Sequence, residues 1–469
     1  NNRREIVKRH FRGLLYNSSD EMIFGIAKNP IFMKNGMVIG GGEVYPEINF
    51  TLPPMSINKD TMPEVIDQYK EMINGVCKRA VELFANEIVV EVELLPDMTV
   101  NSQWGIEVCK IVRDIMHEYE DKYQLKSVMR ITPNDIRDMI RPPRMRTGKY
   151  VDEMFKTFEG CAKVGAELLS VESTGGKEIN DDALLNADIR KVIFALGVLG
   201  VRDMEYLWSN IVEIASATGA YPAGDSACGF ANTAMVLADK GFIPKVFSAV
   251  VRVVSVPRTL VAYEIGAIGP SKDCAYEGPY IKAISGVPIS MEGKTSACAH
   301  LSPIGNITAA MADLWSNESV QNIKLLSDMA PTVYMEQLIY DCRLMNLTGR
   351  SREDALKFRN WLVESDSRFD PQAYVLRPDV VYTISKELVK VPDNFVRTKL
   401  SAQLAIDILK KAYEDGKLNI PKRELRWLDI MSQQLEEVPD DEEEFWNKMK
   451  EELDLSRFIP EEYGLTHSS

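Results

Sequence analysis

The stretch "VDEMFKTFEGCAKVGAELLSVES" (151–173) carries two periodicities in one run. Val151, Met154, Phe155 and Phe158 recur at the 3.6-residue spacing of an amphipathic helix. "ELLSVES" (167–173) is a short apolar run bounded by the Gly turn of "TGGKE", and reads as a strand. The next unit repeats the pattern: helical "DMEYLWSNIVEIASATG" (203–219) runs into strand-like "GAYPAGD" (219–225). "EIVVEVELL" (87–95), "SVMRIT" (127–132), "VFSAVVRVV" (246–254) and "GVPISME" (286–292) add further strand-like runs. Helices and strands alternating from about 63 to 345 mean a parallel α/β architecture. A (β/α)8 TIM barrel is the first expectation, and an open doubly wound sheet the alternative.

The rest of the chain is organised around that middle. Residues 1–60 contain the Gly- and Pro-rich "NGMVIGGGEVYPEINFTLPPMS" (35–56) and read as an N-terminal extension of turns and short strands; 61–350 is the expected barrel. From 351 to 469 amphipathic helices follow one another without strands, as in "SREDALKFRNWLVES", "VRTKLSAQLAIDILKKAYEDG" and "RELRWLDIMSQQLEEV", giving a C-terminal helical region. The acidic start of "EEVPDDEEEFWNKMKEELDL" (436–455) suits the positive end of a helix dipole.

Composition narrows the function. Lys+Arg number 55 and Asp+Glu 69, a net charge of −14, which disfavours phosphate backbones as partners. The 7 cysteines are scattered without a CxxC pair, which speaks against a disulfide framework and for a reducing, cytoplasmic setting. No run approaches the ~20 apolar residues of a membrane helix. The basic "NNRREIVKRHFRGLLY" (1–16) lacks a following signal-peptide core and reads as a surface helix or arm.

Several chemistries lack their motifs. "MEGKTS" (291–296) resembles the end of a phosphate-binding loop, but Pro288 stands where its first glycine is needed. There is no G-x-S-x-G elbow, no HExxH and no paired histidine. What remains is thiol and carboxylate. Glu172 ends a strand before a Gly turn, Cys228 follows "AGDSA", and Cys274 sits in "GPSKDCAYEGP" after the helical "RTLVAYEIGAIG". Each separation fits a little more than one strand–helix unit, so all three fall on loops at the C-terminal mouth of a barrel. Two thiolates and a carboxylate make a three-ligand zinc site with an open position. Buried, idle cysteines fit the same spacing, and the pattern alone leaves both readings open. Cys77, Cys109, Cys161 and Cys342 lie in helical patterns and read as core, whereas Cys298 beside His300 is a second, weaker metal candidate.

In order along the chain, "ELLSVESTGGKE", "AGDSACGFANTAM", "PRTLVAYEIGAIGPSKDCAYE", "GVPISMEGKTSACAH" and "DLWSNESV" together resemble the zinc-containing subunit of methanol:corrinoid methyltransferases. The similarity runs from "DEMIFGIAKNP" through "YDCRLMN". It implies one zinc per chain held by Glu172, Cys228 and Cys274, methanol as methyl donor, and a corrinoid supplied by a separate partner protein. It also implies a homodimer within a heterotetramer. No Asp-x-His-x-x-Gly corrinoid motif surrounds His10, His117, His300 or His467, which agrees with a separate carrier. Asp225, Asp273 and Glu277 stand next to the ligands as candidate proton donors to the leaving oxygen, with helix capping or turn support as the alternative for the aspartates. Lys294 is a candidate charge-binding group at the rim, or one half of a salt bridge. The basic loop "IRPPRMRTGKY" (140–150) is a candidate partner contact, or an ordinary linker. Rival functions are a related methyltransferase with another small donor, a metal-free barrel decarboxylase, and a zinc-stabilised scaffold that only docks a corrinoid protein. A fourth protein ligand would favour the scaffold.

Overall fold

The structure, a computed structural model, describes residues 8–466. Residues 1–7 of the basic arm and His467 lie outside the described residues, and 8–16 form no helix. An antiparallel hairpin comes first, β1 (Ile26–Phe32) with β2 (Val38–Gly41). Seven parallel strands follow: β3 (Tyr45–Thr51), β4 (Glu87–Leu94), β5 (Lys126–Pro133), β6 (Leu168–Val171), β7 (Tyr221–Asp225), β8 (Ser290–Glu292) and β9 (Leu314–Val320). Their order is β7-β6-β5-β4-β3-β9-β8. Residues 268–271 close the circle. Ile268 N and Gly269 N donate to the Pro222 and Ala223 carbonyls at 2.8 and 2.9 Å. On its other edge Ser271 N donates to Pro288 O at 3.2 Å, and Ser271 pairs in parallel with Ile289. The expected (β/α)8 barrel is therefore present, with one very short strand position.

Local sequence explains most elements. The helix Lys149–Lys163 buries Val151, Met154 and Phe158, the stripe that its periodicity marks. Its strand partner Leu168–Val171 is buried on both faces, as parallel barrel strands are. The hairpin plugs the N-terminal end of the barrel: Ile31, Met33 and Ile39 pack against Val89, Val128 and Leu168. Only the C-terminal end is left for chemistry.

Two expectations need correction. "VFSAVVRVV" is not a strand but part of the helix Lys245–Ile265. From Val246 to Ile265 every residue of this helix is buried, between the barrel and the C-terminal helices, so it shows no polar face and its β-branched run mimics a strand. It is also the one helix among the described residues long and apolar enough to cross a membrane, a property it owes to total burial inside the protein. Second, β3 falls inside the stretch read as an extension, because its inward-facing Glu47 and Asn49 break the apolar run expected of a barrel strand. Beyond β9 no further strand occurs among the described residues, and helices Arg352–Asp366, Asn394–Glu414, Lys422–Glu436 and Glu442–Glu452 build the expected C-terminal region. The acidic start of the last one is a cap: Asp441 accepts a hydrogen bond from Glu444 N.

The first three helical cysteines (Cys77, Cys109 and Cys161) and Cys342 are buried, as expected. A buried ion pair ties the plug to the barrel. Lys282 Nζ lies 2.9 and 3.0 Å from the Asp313 carboxylate and donates to the carbonyls of Ile23 and Met311. Lys282→Met would strand Asp313 in an apolar surround, and should cost about 3–5 kcal/mol of unfolding free energy in urea titrations. Adding Asp313→Leu should recover most of it. A loss below about 1 kcal/mol for the single change would contradict this role.

Candidate metal centre

Three strand ends deliver the central residues. Glu172 follows β6, Cys228 lies three residues beyond β7, and Cys274 follows the closing segment 268–271. One donor atom from each of Glu172, Cys228 and Cys274 lies within 4.8 Å of the other two. Cys274 Sγ is 3.2 Å from Glu172 Oε1. A tetrahedral ion with S at ~2.3 Å and O at ~2.1 Å would set such donors roughly 3.5–3.8 Å apart, so the triangle is close to ligating size without rearrangement. Cys274 is buried, and Glu172 and Cys228 are partly open to a cavity.

The local backbone explains this aim. Cys228 opens a single π-helical turn, Cys228–Asn232, a form found often at functional sites. After Glu172 the chain turns at Gly175 and Gly176. Gly176 has φ +89°, and a Cβ there would meet Ala195 O at 2.4 Å, so only glycine fits. Its N–H donates to the hydroxyl of Tyr463 at 2.9 Å, which brings the C-terminal segment to the back of the site.

The electrostatics ask for a cation. Burial pushes the Glu172 carboxyl up, against the pull of Lys272. Burial and the neighbouring Cys228 raise the Cys274 thiol well above the ordinary range. The hydrogen bond with Cys274 favours the Cys228 thiolate, but burial and the Glu172 and Glu292 carboxylates override it, and the thiol is pushed up to about 12. Three acids that resist ionisation next to one another are the donor set a divalent ion relieves by binding.

A second cluster, Glu47, Glu91 and Asp273, lies fully buried in the barrel. It already has its cations. Arg130 Nε is 2.9 Å from Glu47, and Lys272 Nζ is 2.8 Å from Glu91 and 2.9 Å from Asp273. Lys272 also reaches Glu93 at 3.1 Å and Glu172 at 3.2 Å, so it joins the two clusters. Sequence reasoning passed over Lys272, although a Lys-Asp pair beside a cysteine in an apolar stretch is a signal for buried ionic contacts.

The cavity in front of the triangle measures about 350 Å³ and is lined by Glu93, Thr132, Asp135, Lys177 and Asn232 as well as Glu172 and Cys228. Asn232 Nδ2 lies 3.7 Å from Cys228 Sγ. A larger cleft of about 620 Å³ opens at the opposite, N-terminal end, between Tyr45, Glu87 and Arg343. Barrel enzymes work from the C-terminal end, and the converging thiols and carboxylate lie there, so the smaller cavity is the functional one.

The chain belongs to the family of methanol-cobalamin methyltransferase B subunits. It matches that family over residues 8–464. It is 38% identical, over 98% of its length and all of the relative's, to a methanol–corrinoid protein co-methyltransferase of Methanosarcina barkeri. Its fold superimposes with a TM-score of 0.93 on a chain in the crystal structure of the methanol:cobalamin methyltransferase complex MtaBC from the same organism, at 37% identity, covering 97% of this chain and 100% of that one.

The structure moves the other candidates away from the chemistry. None of Asp225, Asp273 and Glu277 lines the cavity, and all three side chains are buried among other partners. Asp225 accepts from Ser173 Oγ at 2.7 Å, Ser226 N at 2.8 Å and Trp208 Nε1 at 3.1 Å; it caps no helix. Glu277 accepts from Ala227 N at 2.8 Å and Ser226 Oγ at 3.2 Å, bracing the residues before Cys228. Asp273 belongs to the Lys272 cluster. None of the three carboxylates opens to the cavity; each is bonded to neighbouring groups instead. Lys294 pairs with Asp341 at 3.4 Å and also lies off the cavity. Cys298 is exposed, and neither it nor His300 joins the triangle. The basic loop is tied down within the chain: Arg141 pairs with Glu178 at 2.5 Å, and Arg146 N donates to Glu462 at 2.6 Å.

If Glu277 braces rather than donates, Glu277→Gln should lower the rate of methyl transfer but leave the shape of its pH profile unchanged. Loss of the limb at high pH, where a required acid deprotonates, would restore Glu277 as the proton donor.

Proposed function

We propose that this protein takes the methyl group of methanol and passes it to Co(I) of a corrinoid carried by a separate protein, using one zinc held by Glu172, Cys228 and Cys274. The observation that carries the reading is the convergence of two thiols and one carboxylate at the C-terminal end of the barrel, in a member of this family. Among the described residues no fourth His, Cys, Asp or Glu completes the group, which favours an open catalytic site over a closed scaffold.

When bound, zinc supplies Lewis acidity toward the oxygen of the alcohol. The protein's residues do the rest. The donor set brings a formal charge of −3 when ionised, more than a set of neutral histidines would, which restrains deprotonation of a bound alcohol. The strand ends fix the donors on the cavity floor, and the β1–β2 hairpin closes the far end of the barrel. Displacement at the methyl carbon needs the nucleophile opposite the C–O bond, so the corrinoid must enter from the open mouth while methanol lies against the floor. The C–O bond breaks as the Co–C bond forms, and the oxygen leaves with one added proton as water. Thr132, Lys177 and Asn232 give the walls polar groups that orient a small alcohol. A corrinoid partner belongs to this reading, as does assembly of two such chains flanked by two carriers.

The test is a spectrum. Zinc-analysed protein is mixed with cob(I)alamin and methanol without oxygen, and formation of methylcob(III)alamin is followed. Wild type should hold one zinc and methylate in proportion to methanol. Cys228→Ala should lose the zinc and at least ~10³-fold of the rate, since it removes an ion that activates the leaving group. A zinc-replete protein that methylates from another small donor but not from methanol would overturn the choice of substrate. Full zinc content in Cys228→Ala would overturn the site.

A further inference from the structure

The three ligand loops come from three separate strand ends, and something must hold them in register. The mechanism above leaves unused one pair of neighbouring residues that touches all of them: Arg258 and Thr259, in the middle of the buried helix Lys245–Ile265. Both are fully buried.

Arg258 reaches the first loop through Ser173, the residue after Glu172. Its Nη2 donates to Ser173 O at 3.0 Å and to the Ser173 hydroxyl. The second loop is reached twice. Arg258 Nη1 lies 3.5 Å from Asp225 Oδ1, at the end of β7, and the guanidinium stacks over the ring of Phe230, its carbon 5.0 Å from the centroid. Phe230 lies within the π-helical turn that Cys228 opens. Thr259 connects to the third loop. Its hydroxyl accepts from Arg258 Nη1 at 3.2 Å and donates to Glu277 Oε1 at 2.9 Å. The same Glu277 oxygen accepts from Ala227 N, the residue before Cys228. Ser226 Oγ closes the ring, donating to Glu277 Oε2 and accepting from Ala275 N, the residue after Cys274, at 2.9 Å.

We propose that Arg258 and Thr259 are positioning residues that set the spacing of the Glu172, Cys228 and Cys274 donors from behind. This rests on the metal site proposed above. The residues bonded directly to the pair or through Glu277 and Ser226 (Ser173, Ala227 and Ala275) are each the immediate chain neighbour of a ligand. A shift in the pair therefore transmits to all three donors, at Ser173 directly and at Ala227 and Ala275 through the buried side chains of Glu277 and Ser226. The rigidity has a physical basis: a planar guanidinium with several fixed donors holds two loops at defined angles, which a lysine could not. The helix that carries it is buried from Val246 to Ile265. Nothing in this network reaches the cavity, so the pair acts on the ligands and not on the substrate.

The test reads the metal directly. Cobalt(II) is substituted into wild type, Thr259→Val, Thr259→Ser and Arg258→Met, and the thiolate-to-cobalt charge-transfer band is recorded. Release of the metal to a chelator is timed in the same samples. Thr259→Val keeps the shape of the residue and removes the hydroxyl. It and Arg258→Met should shift the band and speed release by about 10–100-fold, the usual effect of losing an outer partner of a ligand. Thr259→Ser, which keeps the hydroxyl, should match wild type. Val251→Ala, elsewhere on the same buried helix, controls for general loss of stability and should leave band and release rate unchanged. A Thr259→Val protein whose band and release rate stay within about twofold of wild type would overturn the proposal, as would an equal effect of Val251→Ala. Absence of a thiolate band in cobalt-loaded wild type would overturn the metal site itself, and the clamp with it.

Discussion

Carboxylates and thiols buried side by side must lose their protons to a cation or keep them, and the interior of this barrel is built around that constraint. Glu47, Glu91 and Asp273 find Arg130 and Lys272 inside the protein. In the Glu172, Cys228 and Cys274 group only Glu172 pairs with Lys272, and among the described residues no other cation sits against the three donors. The difference divides the core into a layer that is electrostatically closed and a layer above it that is not. An open layer of two thiols and a carboxylate selects a borderline-soft divalent ion, whereas an all-carboxylate group would favour a hard one. The same division leaves the three carboxylates of the lower layer already paired with Arg130 and Lys272.

Much of this was legible in the chain. Glu172 and Cys228 stand out because each follows a strand-like run, and Cys274 because it lies in a Gly- and Pro-bounded loop one strand–helix unit further on; parallel strands in a barrel bring such positions to one end. The fold followed from the contiguity of helix and strand in 151–173. What misled was the helix Lys245–Ile265. Its sequence has no polar face because its surroundings have none, and helix and strand become indistinguishable when every side chain is buried. The strand Tyr45–Thr51 was hidden for the opposite reason: it carries Glu47 and Asn49 into the barrel, where Arg130 on β5 and Ser290 on β8 bond Glu47 and Glu93 on β4 accepts from the Asn49 amide nitrogen. Residues 268–271 are too short to show any period.

The proton-donor candidates show the limit of reasoning by adjacency. Asp225, Asp273 and Glu277 are near Glu172, Cys228 and Cys274 along the chain, yet each carboxylate is taken up by other neighbours: Asp225 by Ser173, Ser226 and Trp208, Asp273 by Lys272, and Glu277 by Ala227, Ser226 and Thr259. Their carboxylates accept backbone and side-chain donors that fix the loops. Lys272, which does touch Glu172, is fully buried, and the fold is what places it there.

This arrangement has a consequence for how the site and a second protein divide the work. The ligand side of the cavity is braced from behind by the central helix, and by the C-terminal segment through Tyr463 and Gly176. The hairpin seals the barrel below. Rigid support on every side but one leaves the mouth as the single direction from which a reaction partner can approach. In-line displacement at a methyl carbon tolerates little angular error. A protein that holds one end of that line immovably reduces the problem to the docking of the other. A large planar cofactor could not be carried inside a 350 Å³ cavity together with its substrate, so it must be brought by another chain. In the proposed reaction the barrel holds the donor oxygen, so accuracy would depend on how the second protein seats itself on the rim.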